Sequence, residues 1–330
     1  MSKLSPRLLV LYTGGTIGMQ HSAEGLVPAA GFGSRIRARQ RAQSLPLPEW
    51  IFRELLPPID SANMNQRHWL SMAETIGQAV ETEGCKGVLV LHGTDTLAYS
   101  AAALSFLLLG LPVPVLLTGS MLPADAPDSD AWDNLFGAMR LLQDDPVPGV
   151  RVHFHGKTLH GARASKLGTT SLDAFDAAPR LRQGTRARQA PSALDYRRPR
   201  QPVELAVLPL YPGIRAAQVQ ALLDSGVRGL VLECYGSGTG PADDEALLAA
   251  LHNAHRSGVV LVAISQCPQG HVQFDLYAAG SRLAACGLVS AGGMTREAAL
   301  GKLFALLGAG LSQAEVERWF ALDLCGENAD

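Results

Sequence analysis

Residues 8–19 read Leu-Leu-Val-Leu-Tyr-Thr-Gly-Gly-Thr-Ile-Gly-Met. An unbroken apolar run that ends in a glycine turn describes a strand buried on both faces, with an exit that must bend sharply. The pattern recurs along the chain. Residues 88–91, 113–117, 150–154, 205–210, 229–232 and 259–264 are short apolar runs, each closed by a glycine or polar turn. Between them, apolar residues spaced by three and four predict helices over 66–83, 100–109, 133–142, 216–224, 243–257 and 296–308. Buried strands alternating with helices give an α/β protein, its sheets mostly parallel and flanked by helices. At 330 residues the chain is long for one core, which favours two domains. Proline and arginine accumulate towards residue 202, and a new βαβ pattern starts at Leu205. The expected division is a larger N-terminal domain over 1–190, a linker over 191–204 and a smaller C-terminal domain over 205–330.

Composition narrows the function. Hydrophobic residues make up 47% and charged residues 18%, and the net charge is -2. That balance supplies ample core and no positive field for nucleic acid or anionic lipid, so the expected partner is a small molecule. Arg180, Arg182, Arg186, Arg188, Arg197, Arg198 and Arg200 cluster, but Pro191 and Pro199 interrupt them, and the segment reads as a solvated linker. The longest apolar stretch, residues 101–109, is half a membrane span. The apolar run after Arg7 stops at Tyr12, too short for a signal-peptide core. Five scattered cysteines without a C-x-x-C pair fit a reducing compartment rather than a disulfide framework or a structural zinc. A cytoplasmic protein is expected.

Ligands of an open parallel sheet sit beyond the carboxyl ends of its strands, which selects three segments. The first is Thr13-Gly14-Gly15-Thr16-Ile17-Gly18-Met19, which lacks the G-x-G-x-x-G spacing of a dinucleotide site; a strand-capping threonine explains it as well as a reactive one. The second, His92-Gly93-Thr94-Asp95-Thr96, offers a hydroxyl and a carboxylate that could polarise a nucleophile, hold an ammonium group, or only cap the next helix. The third is Lys166, among small and apolar residues in Ala162-Arg163-Ala164-Ser165-Lys166-Leu167-Gly168, either a tuned base or an exposed charge. His153 and His155, two apart in a strand, would share a face as in H-x-H metal sites, yet no third ligand follows at a recognisable spacing, and no metal or other cofactor is expected.

Taken together, the first two segments resemble the two signatures of the asparaginase family. Further matches follow in order: Ile59-Asp60-Ser61, Thr118-Gly119-Ser120, Ser129-Asp130 with Asn134, Lys166, Tyr211-Pro212-Gly213-Ile214, Tyr235-Gly236-Ser237-Gly238, Gln266-Cys267 with Gly270, and Tyr277-Ala278-Ala279-Gly280. The resemblance covers nearly the whole chain and is to the bacterial type I, cytoplasmic branch. It implies hydrolysis of L-asparagine by a homodimer or homotetramer, with Thr16 as a nucleophile that forms a β-aspartyl ester and releases ammonia. It makes Thr94, Asp95 and Lys166 a supporting triad in which the bond to lysine renders the Thr94 hydroxyl a better proton acceptor. Backbone N–H groups near Thr94 would hold the oxyanion. Ser61 would meet the substrate α-carboxylate and Asp95 its α-ammonium, and Gly15, Asp60 and Thr94 complete the implied binding set.

The sequence departs from the family pattern at two positions. Many relatives carry a loop tyrosine where Leu26 stands, and Tyr277 resembles a tyrosine that fills this role from the C-terminal domain, in trans. Some bacterial type I enzymes carry arginine in place of Glu233 in a second, regulatory asparagine site, so this chain is expected to lack that activation. The archaeal tRNA-dependent amidotransferase subunit, which resembles this family, has an extra N-terminal domain, whereas strand 8–12 comes at once here.

Overall fold

The computed structural model describes residues 7–22, 25–27, 29–178 and 187–328. The chain divides into two compact units, Met1–Ala177 and Ala178–Asp330. In the first unit the elements run β1 (Leu8–Gly14), β2 (Gln20–Ser22), β3 (Gly25–Val27), α1 (Phe32–Ala42), β4 (Trp50–Ile59), α2 (Gln66–Glu81), β5 (Gly87–Leu91), α3 (Leu97–Leu107), β6 (Pro114–Thr118), α4 (Ala131–Asp144), β7 (Gly149–Phe154), β8 (Lys157–His160), β9 (Ala164–Lys166) and β10 (Phe175–Ala177). The main sheet has the order β4-β1-β5-β6-β7-β8. Its strands pair in parallel except for the last, β8, which pairs antiparallel to β7.

Strand alternation sorts the core. Leu8, Val10 and Tyr12 of β1, Leu89 and Leu91 of β5 and Leu116 of β6 meet Phe32 and Ile36 of α1 and Leu135, Phe136, Met139 and Leu142 of α4. The alternate residues Leu9, Leu11, Val88 and Val90, all fully buried, point to the opposite face, which α3 covers together with α2. Both faces are therefore closed, as the unbroken apolar strands required. α1 carries four arginines and was not legible as a helix. Burial of Phe32 and Ile36, worth about 1.5–3 kcal/mol each, outweighs the stacking of Arg37 on the Trp50 ring at 4.0 Å, an exposed-site contact of about 0.5–1 kcal/mol.

The second unit repeats the architecture on a smaller scale: β11 (Leu205–Pro209), α5 (Ala216–Leu223), β12 (Gly229–Cys234), α6 (Glu245–Arg256), β13 (Val260–Ser265), α7 (Ala278–Ala285), β14 (Leu288–Ser290), α8 (Arg296–Gly308) and α9 (Gln313–Phe320). Its sheet is parallel throughout, in the order β11-β12-β13-β14. Residues 191–204 do more than connect, because Leu194 is fully buried, Arg200 is 7% exposed and the Gln201 N–H donates to the Gly308 carbonyl. Arg180, Arg182 and Arg186 lie outside the described residues. Among the described residues no helix is long and apolar enough to cross a membrane.

Candidate active site

β1 leaves the sheet through Gly14 and Gly15, whose φ of +121° and +85° are strained for any side chain. Space forbids a side chain as well. A Cβ on Gly14 would stand 2.2 Å from the Ile59 carbonyl oxygen, and one on Gly15 would stand 2.4 Å from the Gly93 nitrogen. The two glycines thus seat the strand exit against the loops that follow its neighbours β4 and β5. Thr13 is 1% exposed and gives its hydroxyl proton to the Leu91 carbonyl at 3.0 Å, so the strand-capping role belongs to Thr13. Thr16 opens the single turn Thr16–Gly18 and is half-buried. That turn rests on Tyr12, whose buried hydroxyl lies against Gly18 and donates to the Ala29 carbonyl at 3.1 Å. Burial pushes the Tyr12 phenol well above its usual range and keeps it a donor.

The loop after β4 adds Asp60 and Ser61. Asp60 caps the turn Ser61–Asn63, its carboxylate accepting from the Ala62 N–H at 3.2 Å. Ser61 is 3% exposed; its carbonyl accepts from the Thr96 hydroxyl at 2.8 Å, and a Cβ on Gly93 would fall 2.5 Å from its Oγ. Gly15, Ser61 and Gly93 therefore meet at one point. Immediately beyond Gly93 lie Thr94, 6% exposed, and Asp95, whose side chain is 64% exposed. Lys166, on β9, reaches both: its Nζ donates to Thr94 Oγ1 at 2.9 Å and pairs with Asp95 Oδ1 at 2.7 Å. The residue at the cap position of α3 is Thr96, which makes no side-chain cap bond, while Thr94 Oγ1 is taken up by Lys166.

The loop after β6 is fixed by residues that the sequence marked without a role. Asp130 accepts from the N–H groups of Met121 and Leu122, at 3.0 to 3.1 Å. Asn134 donates to the Gly119 carbonyl at 3.1 Å and accepts from the His155 N–H at 2.8 Å. The two histidines do not share a face. β7 ends at Phe154, His153 is packed against Gly137 of α4, and His155 turns out at φ +47° into solvent. Among the described residues no group of three His, Cys, Asp or Glu side chains could hold a metal.

His92, Ser100 and Trp69 form a buried chain beneath this loop that sequence reasoning passed over. Nothing in their spacing announces it, because the three lie on a loop and two different helices. Burial lowers the His92 pKa to about 4. The sign for stability follows. Between the ordinary histidine value of 6.5 and about 4 the unfolded chain takes up a proton that the folded chain refuses. Stability therefore falls as pH falls through that window, by about 3 kcal/mol at 1.36 kcal/mol per pH unit. His153, also lowered by burial, acts in the same sense. Thermal unfolding from pH 7 to pH 4 should show a steeper decline in the wild type than in His92→Asn; equal slopes would contradict this assignment.

In the second unit, Tyr277 precedes α7 and is 57% exposed. Leu26 sits on the β2–β3 hairpin opposite His21, 41% exposed. Glu233 ends near the carboxyl edge of β12, 4% exposed, and both its carboxylate oxygens are held by the Arg296 guanidinium, the second at 2.9 Å. An anion already paired there cannot attract a substrate carboxylate. The velocity curve of the reaction carried out at this site should accordingly be hyperbolic in substrate, and a Hill coefficient clearly above one would show coupling despite Glu233.

Comparison with known proteins agrees with this geometry. Residues 7–195 match the family described as Asparaginase, N-terminal, and residues 204–320 match Glutaminase/Asparaginase C-terminal domain. The chain is 35% identical to L-asparaginase 1 of Escherichia coli strain K12 over 331 residues, covering 97% of both proteins. It is 36% identical to the human 60 kDa lysophospholipase, covering 97% of this chain and 61% of that protein. The crystal structure of L-asparaginase I from Vibrio cholerae superposes with a TM-score of 0.84 at 32% identity, covering 98% of this chain and 99% of that one. Full-length identity, both family matches and the shared two-unit α/β architecture lead to one statement: this chain belongs to the asparaginase family.

Proposed function

We propose that the protein hydrolyses L-asparagine to L-aspartate and ammonia through an acyl-enzyme on Thr16. The observation that carries this reading is the bond from Lys166 Nζ to Thr94 Oγ1, made beside the Gly15–Thr16 bend and shared with Asp95. Thr16 Oγ attacks the side-chain amide carbon, its proton passes by way of the Thr94 hydroxyl to the departing nitrogen, and ammonia leaves. Water then attacks the ester, its oxygen becoming part of the new carboxylate while Thr16 regains its proton. The direction of the lysine bond refines the expected role of Thr94. A hydroxyl that accepts from a cation becomes the better proton donor, not the better acceptor, so Thr94 serves chiefly to deliver a proton. Side chains, backbone N–H groups and water complete this cycle.

Recognition of the substrate's charged ends falls to the same cluster. Asp95 is open to solvent on the side away from Lys166 and would take the α-ammonium, while Ser61 would take the α-carboxylate, with Gly15 and Asp60 shaping the floor. Tyr277 is assigned the tyrosine role that Leu26 cannot fill, in a homodimer or homotetramer. No disulfide joins the five cysteines among the described residues, which suits a cytoplasmic setting. A longer amide substrate is the natural competitor, because one methylene is worth only about 1–3 kcal/mol of discrimination. Ammonia release by the purified protein from L-asparagine and L-glutamine tests the reading: turnover should be faster with asparagine, and no release from either would refute it.

A further inference from the structure

The loop residue His92 is fully buried and its contacts admit one proton arrangement. Its Nδ1 lies 2.8 Å from the Gly93 carbonyl oxygen, and its Nε2 lies 2.8 Å from Ser100 Oγ. Ser100 Oγ also receives the Trp69 indole N–H at 2.9 Å. An indole nitrogen only donates and a carbonyl only accepts. Donation therefore runs in one direction, from Trp69 to Ser100, from the Ser100 hydroxyl to Nε2, and from Nδ1–H to the Gly93 carbonyl. Every polar atom in the chain is satisfied with no net charge, as burial demands.

This chain of bonds acts on the Gly93–Thr94 peptide. The His92 backbone is clamped, its N–H donating to the Thr118 carbonyl at 2.8 Å and its own carbonyl lying 2.2 Å from where a Gly119 Cβ would stand. Gly93 is packed against Gly15 and Ser61, and the bond from the His92 ring fixes which way its carbonyl turns. The Gly93–Thr94 bond is trans, so its C=O and N–H point in opposite directions. Holding the carbonyl towards the His92 ring turns the Thr94 N–H away from it, on the side opposite the buried ring.

We propose that His92 is a positioning residue: through its Nδ1–H bond to Gly93 it aims the Thr94 backbone N–H at the oxygen that becomes negative when Thr16 attacks. This rests on the acyl-enzyme reading above, takes the oxyanion donor already expected near Thr94, and adds the device that orients it. Such a donor strengthens its bond only as charge develops, so losing its aim lowers kcat and leaves KM in place.

Two substitutions separate aim from packing. Asparagine carries an amide N–H near the Nδ1 position, whereas glutamine reaches towards Nε2 and leaves the Gly93 carbonyl free. His92→Gln should lower kcat by about 10²-fold with KM changed less than about twofold, the scale of a lost oxyanion donor. His92→Asn should recover kcat to within about tenfold of wild type. Equal losses in both variants, or a kcat for His92→Gln within about threefold of wild type, would overturn the proposal. Failure of the wild type to hydrolyse any amide would instead remove the functional reading, and this inference with it. Should the variants not fold, the nitrogen spectrum of wild-type protein labelled in histidine decides: a protonated Nδ1 with a bare Nε2 is the expected tautomer, and the reverse would overturn the assignment.

Discussion

Replacing Thr16 with alanine is expected to lower kcat for L-asparagine by roughly 10⁴-fold or more, the scale at which removing a nucleophile leaves only binding and oxyanion stabilisation. Two neighbouring hydroxyls are already engaged. Thr13 is committed to the Leu91 carbonyl and Thr94 to Lys166. The fold should survive, because Thr16 is half-buried at the start of a short turn and its loss opens no core cavity. Thr16→Ser, which keeps the oxygen, should retain a measurable part of the rate. Ammonia assays alongside thermal unfolding check both points. Hydrolysis by Thr16→Ala at about a tenth of wild type would remove Thr16 from the mechanism.

The second large effect concerns Thr94 and Lys166 as one unit. Thr94→Val and Lys166→Met should each reduce kcat by roughly 10²–10⁴-fold, and the double variant should be little worse than either alone. The reason lies in the order of contacts: Lys166 touches Thr94 and Asp95, so its effect on the reaction passes through Thr94. Neither change should unfold the protein. Without Thr94 the lysine keeps its Asp95 partner, and without Lys166 the exposed Asp95 carboxylate is hydrated. Fully additive losses in a double-mutant cycle would show two independent contributions.

The fold was legible wherever burial forced a pattern. The strands that became β1, β5, β6 and β13 are apolar up to their last residue or two because both of their faces are buried, whereas β7 carries Arg151 and His153, β12 carries Glu233 and the edge strand β11 is only half-buried. β4 was missed for the converse reason. As an edge strand it tolerates Arg53, Glu54, Pro57 and Pro58, which have no second neighbour to pair with. α1 was missed because its single buried aliphatic residue past the first turn is Ile36. The site divides in the same way. Gly14, Gly15, Thr94 and Lys166 stand at strand ends, where sequence order alone locates them. The ring of His92 and the hydroxyl of Ser100 meet because the chain doubles back from the end of β5 into α3, a turn whose geometry residue spacing alone does not give. The expectation that His153 and His155 share a face ran past the strand, because the apolar run 150–154 stops at Phe154, where β7 also ends.

The central claim is a covalent bond at Thr16. Acid quench of the enzyme during its first turnovers with isotopically labelled L-asparagine, followed by peptide mapping, tests it directly. An aspartyl group on the peptide carrying Thr16, absent from Thr16→Ala, is the expected result, and an aspartyl group attached at Thr94 or at any other residue would contradict the account.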